Sequence, residues 1–238
     1  MFSFHFSFFI FHFRTLLFFL CALLFPLCQH ARAQTVTDKM VATVTNGSRA
    51  TPDLVTYSDL VWQLALEPRT PFSESPSSEQ LSKALHTRED QLLVLQEARK
   101  LPGADSPEAQ QEFEETVKNK RDELAKKIEA PKLEERMSRV GLTSEQLDAI
   151  LRDRVTIEKY LDFRFRAFVV IGQKEVSDRY NQVYGPQRNS GKIVATLDQV
   201  RSRIEHDLIE EKIASEIDTF VDNLREQPGT EIVVLNPV

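Results

Sequence analysis

The chain has 238 residues, 41% hydrophobic and 28% charged, with 30 basic against 36 acidic side chains and a net charge of −6. That composition excludes a disordered chain and suits one globular domain, or a domain plus a small appendage. No Lys/Arg block dominates any face, so the acidic balance argues against a nucleic-acid partner.

Residues 1–33 contain no acidic residue and carry Arg14 and Arg32. An almost unbroken apolar run follows Arg14 up to Cys28, and Ala31-Arg32-Ala33 precedes Gln34. This reads as a secretory signal peptide cut after Ala33. As an uncleaved anchor, the run after Arg14 falls short of the roughly 20 residues that span a bilayer. Pro26-Leu27 before Cys28 lacks the small residue of a lipoprotein signal. The cleaved protein is therefore expected in the periplasm and not as an integral membrane protein. Both cysteines, Cys21 and Cys28, lie in the leader. The mature chain has neither disulfides nor a thiolate metal site and depends on its core. Losing two basic residues moves its charge to about −8.

The mature chain begins with a β unit. Met40–Thr45 has β-branched alternation and runs into Asn46-Gly47, a strong turn signal. Asp53–Tyr57 reads as a brief second strand. Thr56–Asp59 caps a helix over Ser58–Glu67, stopped by Pro68. Leu60 and Leu64 share one face of it; Trp62 and Leu66 lie on the other. A short helix apolar all round is either fully buried or shared between the core and something else.

Arg69–Ser78, with two prolines and four serines, reads as a loop. A second helix is expected over Glu79–Leu101, stopped by Pro102-Gly103. Ser106-Pro107-Glu108 opens a third: cap residue, proline at the first position, acid in the first turn. Phe113, Val117, Leu124 and Ile128 form its thin stripe, and its charges read as a solvated face. Pro131–Val140 is short and amphipathic, ended by Gly141.

Gly141–Phe168 is the stretch around which the chain is organised. Thr143 and Gln146 form a capping box. Leu147, Ile150, Leu151, Val155, Ile157, Leu161, Phe165 and Phe168 fall within roughly 160° of arc, one face of a six-turn helix. Such a helix needs covering partners, since propensity alone stabilises it poorly in water. A shorter helix, Lys174–Tyr184, follows. Residues 185–195 read as a linker. Thr196 and Gln199 then cap a long helix to about Glu226, stopped by Pro228-Gly229. Its stripe changes side: Leu197, Val200, Ile204 and Leu208 share one face, and Ile213, Ile217, Phe220 and Leu224 lie nearly opposite. It should meet two different neighbours or bend near Ile209. Thr230–Leu235 is a last strand, expected to pair with the first.

The residues hold no catalytic or metal signature. His86 and His206, the only histidines after the leader, lack metal-binding spacing and sit on charged helix flanks. Glu114-Glu115, Glu134-Glu135 and Glu210-Glu211 are adjacent, and helix neighbours point about 100° apart, so they form no carboxylate dyad. No cofactor is implied. What remains is apolar surface. Phe163 lies opposite the stripe of its helix, Tyr160 on its edge, and Trp62 and Leu66 off the Leu60–Leu64 face. Either a second layer of helices buries these four, or they line a groove for extended, partly unfolded chains.

In order, the pieces resemble the SurA-type family of exported chaperones and peptidyl-prolyl isomerases. VATVTNGS (41–48) with LVTYSDLVWQL (54–64) is similar to the family's first strand, turn and first helix. EDQLLVLQEARKL (89–101) is similar to its second helix, and residues 139–165 to its "G-L-t" helix. QKEVSDRYNQVY (173–184) resembles the end of that module, and residues 199–235 its closing helix and strand. The resemblance implies a mainly α fold. A helical chaperone module spans 34–184, a linker at 185–195 stands in place of the parvulin-like isomerase domain, and 196–238 completes the same domain beside a small β unit. That isomerase domain, roughly 100 residues long, normally follows the module; without it the chain is expected not to be an enzyme. The implied function is ATP-independent holding of unfolded exported or outer-membrane proteins, with Trp62, Leu66, Tyr160 and Phe163 as the peptide-binding residues. Two other readings fit the same residues. One is an isomerase-family member working with a separate isomerase partner. The other is a structural subunit that forms a homodimer, with Leu197–Leu208 meeting a second copy.

Overall fold

A computed structural model of the chain describes residues 38–47, 51–101 and 106–238. The expected leader, both cysteines, part of the loop after Gly47 and the Pro102-Gly103 stop lie outside them. The described residues form three strands and seven α-helices. These are β1 (Met40–Thr45), β2 (Asp53–Thr56), α1 (Tyr57–Ala65), α2 (Ser78–Ala98), α3 (Pro107–Ile128), α4 (Ala130–Arg139), α5 (Ser144–Phe165), α6 (Gln173–Asn189), α7 (Leu197–Glu226) and β3 (Glu231–Val234). The fold is mainly α, with a small antiparallel sheet made by the two ends of the described chain.

The sheet runs β2-β1-β3, so the first strand is central and the last pairs with it directly. Ala42 stands opposite Val55 on one side and Val234 on the other. Beyond β3, Leu235 and Asn236 both donate backbone N–H bonds to the Val41 carbonyl, at 2.8 and 3.1 Å. The Asn46-Gly47 and Pro228-Gly229 turns meet. Gly47 has φ +75°, and a Cβ there would lie 2.9 Å from the Gly229 carbonyl oxygen. The close approach requires glycine. A buried side chain ties helix to sheet. Gln96 on α2 accepts from Asn46 N–H at 2.8 Å and donates to the Val44 carbonyl at 3.0 Å and to Asp53 Oδ2 at 2.7 Å. This amide satisfies the backbone where β1 leaves the sheet, a task no stripe in the sequence announces.

Local signals account for the helix starts. Thr56, Ser77 and Thr143 each accept from the N–H three residues on, with Asp59, Gln80 and Gln146 returning the bond. Ser106 caps α3 ahead of Pro107. The helix ends differ from expectation by a few residues: α1 stops at Ala65 rather than Glu67 and α2 at Ala98 rather than Leu101. Between α3 and α4, Glu129 takes φ +72°, an uncommon conformation for a residue with a side chain, which lets α4 start at once in a new direction.

Three groups of buried side chains follow. The first joins the sheet (Val41, Ala42, Val44, Val55) to Leu60, four α2 leucines (Leu81, Leu85, Leu92, Leu93), Tyr160 and Leu224. The second packs Leu66 with Val117, Leu124, Ile128, Leu133, Leu147, Leu151 and Val155. The organising helix α5 therefore serves two cores, Leu147–Val155 the second and Ile157–Leu161 the first. Its stripe ends early. After Phe165 the chain tightens into a 3₁₀ turn, and Phe168, expected on the buried face, is 78% exposed. The i→i+3 turn rotates the side chain off the α-helical stripe.

The third group sits between α6 and the first half of α7: Val176 and Tyr180 against Ile204 and Leu208. The second half of α7 presents Phe220 and Leu224 to the first core. The switch of side thus corresponds to two neighbours along one continuous helix. The face Leu197–Leu208, expected to meet a second copy, is covered by α6 of the same chain. The expected linker at 185–195 also needs correction, because α6 continues through Gly185 and Pro186 to Asn189. Side chains of the helix itself and its cap brace the last turn. Tyr180 stacks on Tyr184 at 5.0 Å, Arg188 lies 5.3 Å over Tyr180, and a Schellman cap closes on Gly191. Those contacts offset the hydrogen bond that Pro186 cannot make.

Candidate functional site

Tyr160 and Phe163 come from the last turns of α5, past the point where its stripe has left the second core. Tyr160 is nearly buried, its ring 6.2 Å from Phe220 of α7, and burial pushes its hydroxyl pKa up. Phe163, on the side of α5 opposite the stripe, is 71% exposed. Across from them lie Ala98, at the end of α2, and the half-exposed Leu101 just beyond it, and the first turns of α3 bring Ala109, Gln110 and Phe113. Together these line a groove of about 590 Å³ between α2, α3 and α5. That volume suits a few side chains of a bound segment.

The rim is charged, but its charges are paired with one another. Arg152 donates two bonds to Glu114, at 3.0 and 2.9 Å, and Lys159 reaches Glu112 at 3.1 Å while lying 5.9 Å over the Phe113 ring. The bond from Arg152 holds the Glu114 carboxyl below its ordinary pKa. Thr156 spends its hydroxyl on the Arg152 carbonyl of its own helix. The apolar floor is thus the part of the groove with unmet contacts. Phe163 also borders an open hollow lined by Phe165 and Phe168.

The other two expected residues lie elsewhere. Leu66 is 1% exposed inside the second core. Trp62 packs on the same core, and its Nε1–H donates to the Val140 carbonyl at 3.0 Å. The layer of α3, α4 and α5 accounts for both. Leu101, Phe113 and Phe168 are the groove and hollow residues that the sequence reading did not single out. Phe113 was legible as the head of the α3 stripe. Nothing local showed that the stripe overhangs the core at that end.

The arrangement offers burial rather than bond chemistry. His86 Nδ1 lies against Arg225, which also donates to Asp90 at 2.7 Å and Glu89 at 3.1 Å, a network that fastens α7 to α2. Among the described residues no three His, Cys, Asp or Glu side chains gather as a metal site, and no helix is long and apolar enough to cross a membrane. Comparison of the sequence with protein-family models found no match, and neither did a search of curated proteins.

Proposed function

We propose that the protein is an ATP-independent holding chaperone for unfolded exported polypeptides, outer-membrane proteins among them, working in the periplasm. Apolar client segments bury against Phe163, Tyr160, Phe113 and Leu101 and leave again without chemistry. The observation that carries this reading is the 71% exposure of Phe163 at the junction of two apolar hollows, beside a rim whose charges are already paired. Such a surface binds by area and imposes little demand on sequence. The order of residues that resembles the SurA-type module is the second support. The mature chain's charge of about −8 would keep a client complex soluble.

The test is aggregation of a urea-denatured outer-membrane protein on dilution. A several-fold excess of the protein should suppress the light scattering, and Phe163→Ser should suppress it less at an unchanged melting temperature. Scattering equal to that in buffer alone would remove the proposal.

A further inference from the structure

Among the described residues, two half-buried cations are left without a partner. Arg88 on α2 and Arg154 on α5 are both half-buried and line one small cleft between α1, α2 and α5, on a different side of α5 from the groove. Neighbouring arginines are engaged: Arg99 with Asp153 at 3.1 Å, Arg152 with Glu114, Arg225 with Glu89 and Asp90. Among the described residues, neither Arg88 nor Arg154 makes a hydrogen bond or ion pair. Arg88 Nε is fully buried and no protein atom accepts from it. A buried charged donor without an acceptor is among the costliest features a fold can carry.

Two carboxylates border the cleft, and both are turned to other work. Asp59 Oδ2 accepts from the Thr56 N–H at 2.8 Å and from its hydroxyl at 3.0 Å, and Asp153 accepts from Arg99. Burial pushes the Arg154 guanidinium below its ordinary pKa; the charges of Glu67 and Glu158 pull it up, and that of Arg88 lowers it. The cleft's two carboxylates are thus occupied, while its two guanidiniums are not. Gln63 and Gln91 add side-chain amides at its wall.

We propose that Arg88 and Arg154 form an anion site that takes one carboxylate group, its two oxygens shared between the two guanidiniums. The space, about 20 Å³, admits a single small group and no larger ligand. A planar fork of donors matches the planar carboxylate better than a spherical ion. The carboxylate arrives either free, as a small organic acid, or on a polypeptide chain end. This site does not depend on the groove's being a client site.

Arginine Nε–H signals in a ¹⁵N-resolved NMR spectrum, followed through an acetate titration at constant ionic strength, test it. Arg88 Nε–H should shift and saturate, while Arg152 Nε–H, already bound to Glu114, stays still. Arg154→Gln should weaken the acetate affinity at least tenfold. Arg154→Lys, which keeps the charge and loses the fork, should weaken it by less and covers the case where the glutamine variant fails to fold. A short peptide with a free carboxyl terminus, against its amide, separates the sources. Competition by the acid alone assigns a chain end, and competition by neither form assigns a free acid. Straight-line drift shared by Arg88 and Arg152, chloride reproducing the acetate shift, or the amide competing as well as the acid would each overturn the site.

Discussion

Two apolar pairs look alike along the chain and end in opposite circumstances. Trp62 and Leu66 lie off the main face of α1; Tyr160 and Phe163 lie on the edge and far side of the α5 stripe. The first pair is roofed by α3, α4 and α5 and belongs to the second core. The second pair has Tyr160 propped on Phe220 and Phe163 out in solvent. An apolar residue out of register with its own helix is therefore no sign of a binding surface. What decides is whether a later element arrives to cover it.

The comparison can be broken most forcefully at Leu66. Leu66→Ala should cost about 2–5 kcal/mol in urea unfolding, as expected for a leucine removed from a closed core. A cost below 1 kcal/mol would mean that the roof is loose and that the two pairs differ less than described. Trp62→Phe removes the bond to the Val140 carbonyl while keeping an aromatic ring, and should cost about 0.5–1.5 kcal/mol. Circular dichroism must follow that variant, because Trp62 is the chain's single tryptophan and otherwise its natural fluorescence probe.

At the open pair the stability effect should nearly vanish. Phe163→Ala should stay within about 0.5 kcal/mol of the parent, as exposed substitutions do, while reducing client holding. A loss of several kcal/mol would show that Phe163 is structural. The smallest effect lies at the rim. Arg152 keeps the Glu114 pKa below that of a free glutamate in the folded state. The contribution of the pair is then present above the free-glutamate pKa and lost as pH falls through the depressed value. Carboxyl NMR should place the Glu114 midpoint below that of the unpaired glutamates, and Arg152→Gln should return it to the ordinary range. An unchanged midpoint in that variant would detach the rim from the account. Salt should weaken the pair too, since both partners are exposed.

Much of the fold could be read in advance because its signals are local. Thr56 with Asp59, Thr143 with Gln146 and Ser106 with Pro107 fall where helices begin, since a cap needs only its own turn. The change of side along α7 announced two neighbours because a helix carries its angular pattern rigidly along its length. The candidate site was half legible. Tyr160 and Phe163 share a groove, whereas Trp62 and Leu66 do not reach it. Its far wall, Leu101 and Phe113, sits where α2 ends and α3 starts, and no periodicity says how far a helix end overhangs its neighbour.

By itself, the order of side chains determined the helical class, the first and last strands, most caps and the apolar stripes. These follow from backbone hydrogen bonding and from a period of 3.6 or 2 residues, both settled within a few positions of the chain. Tertiary structure alone decided that Gln96 serves the sheet, that Gly47 must clear Gly229, and that Phe163 is open while Leu66 is sealed. Each of those outcomes depends on groups dozens to hundreds of residues away. Burial belongs to the assembled neighbourhood, because water is excluded from a side chain only by whatever packs against it.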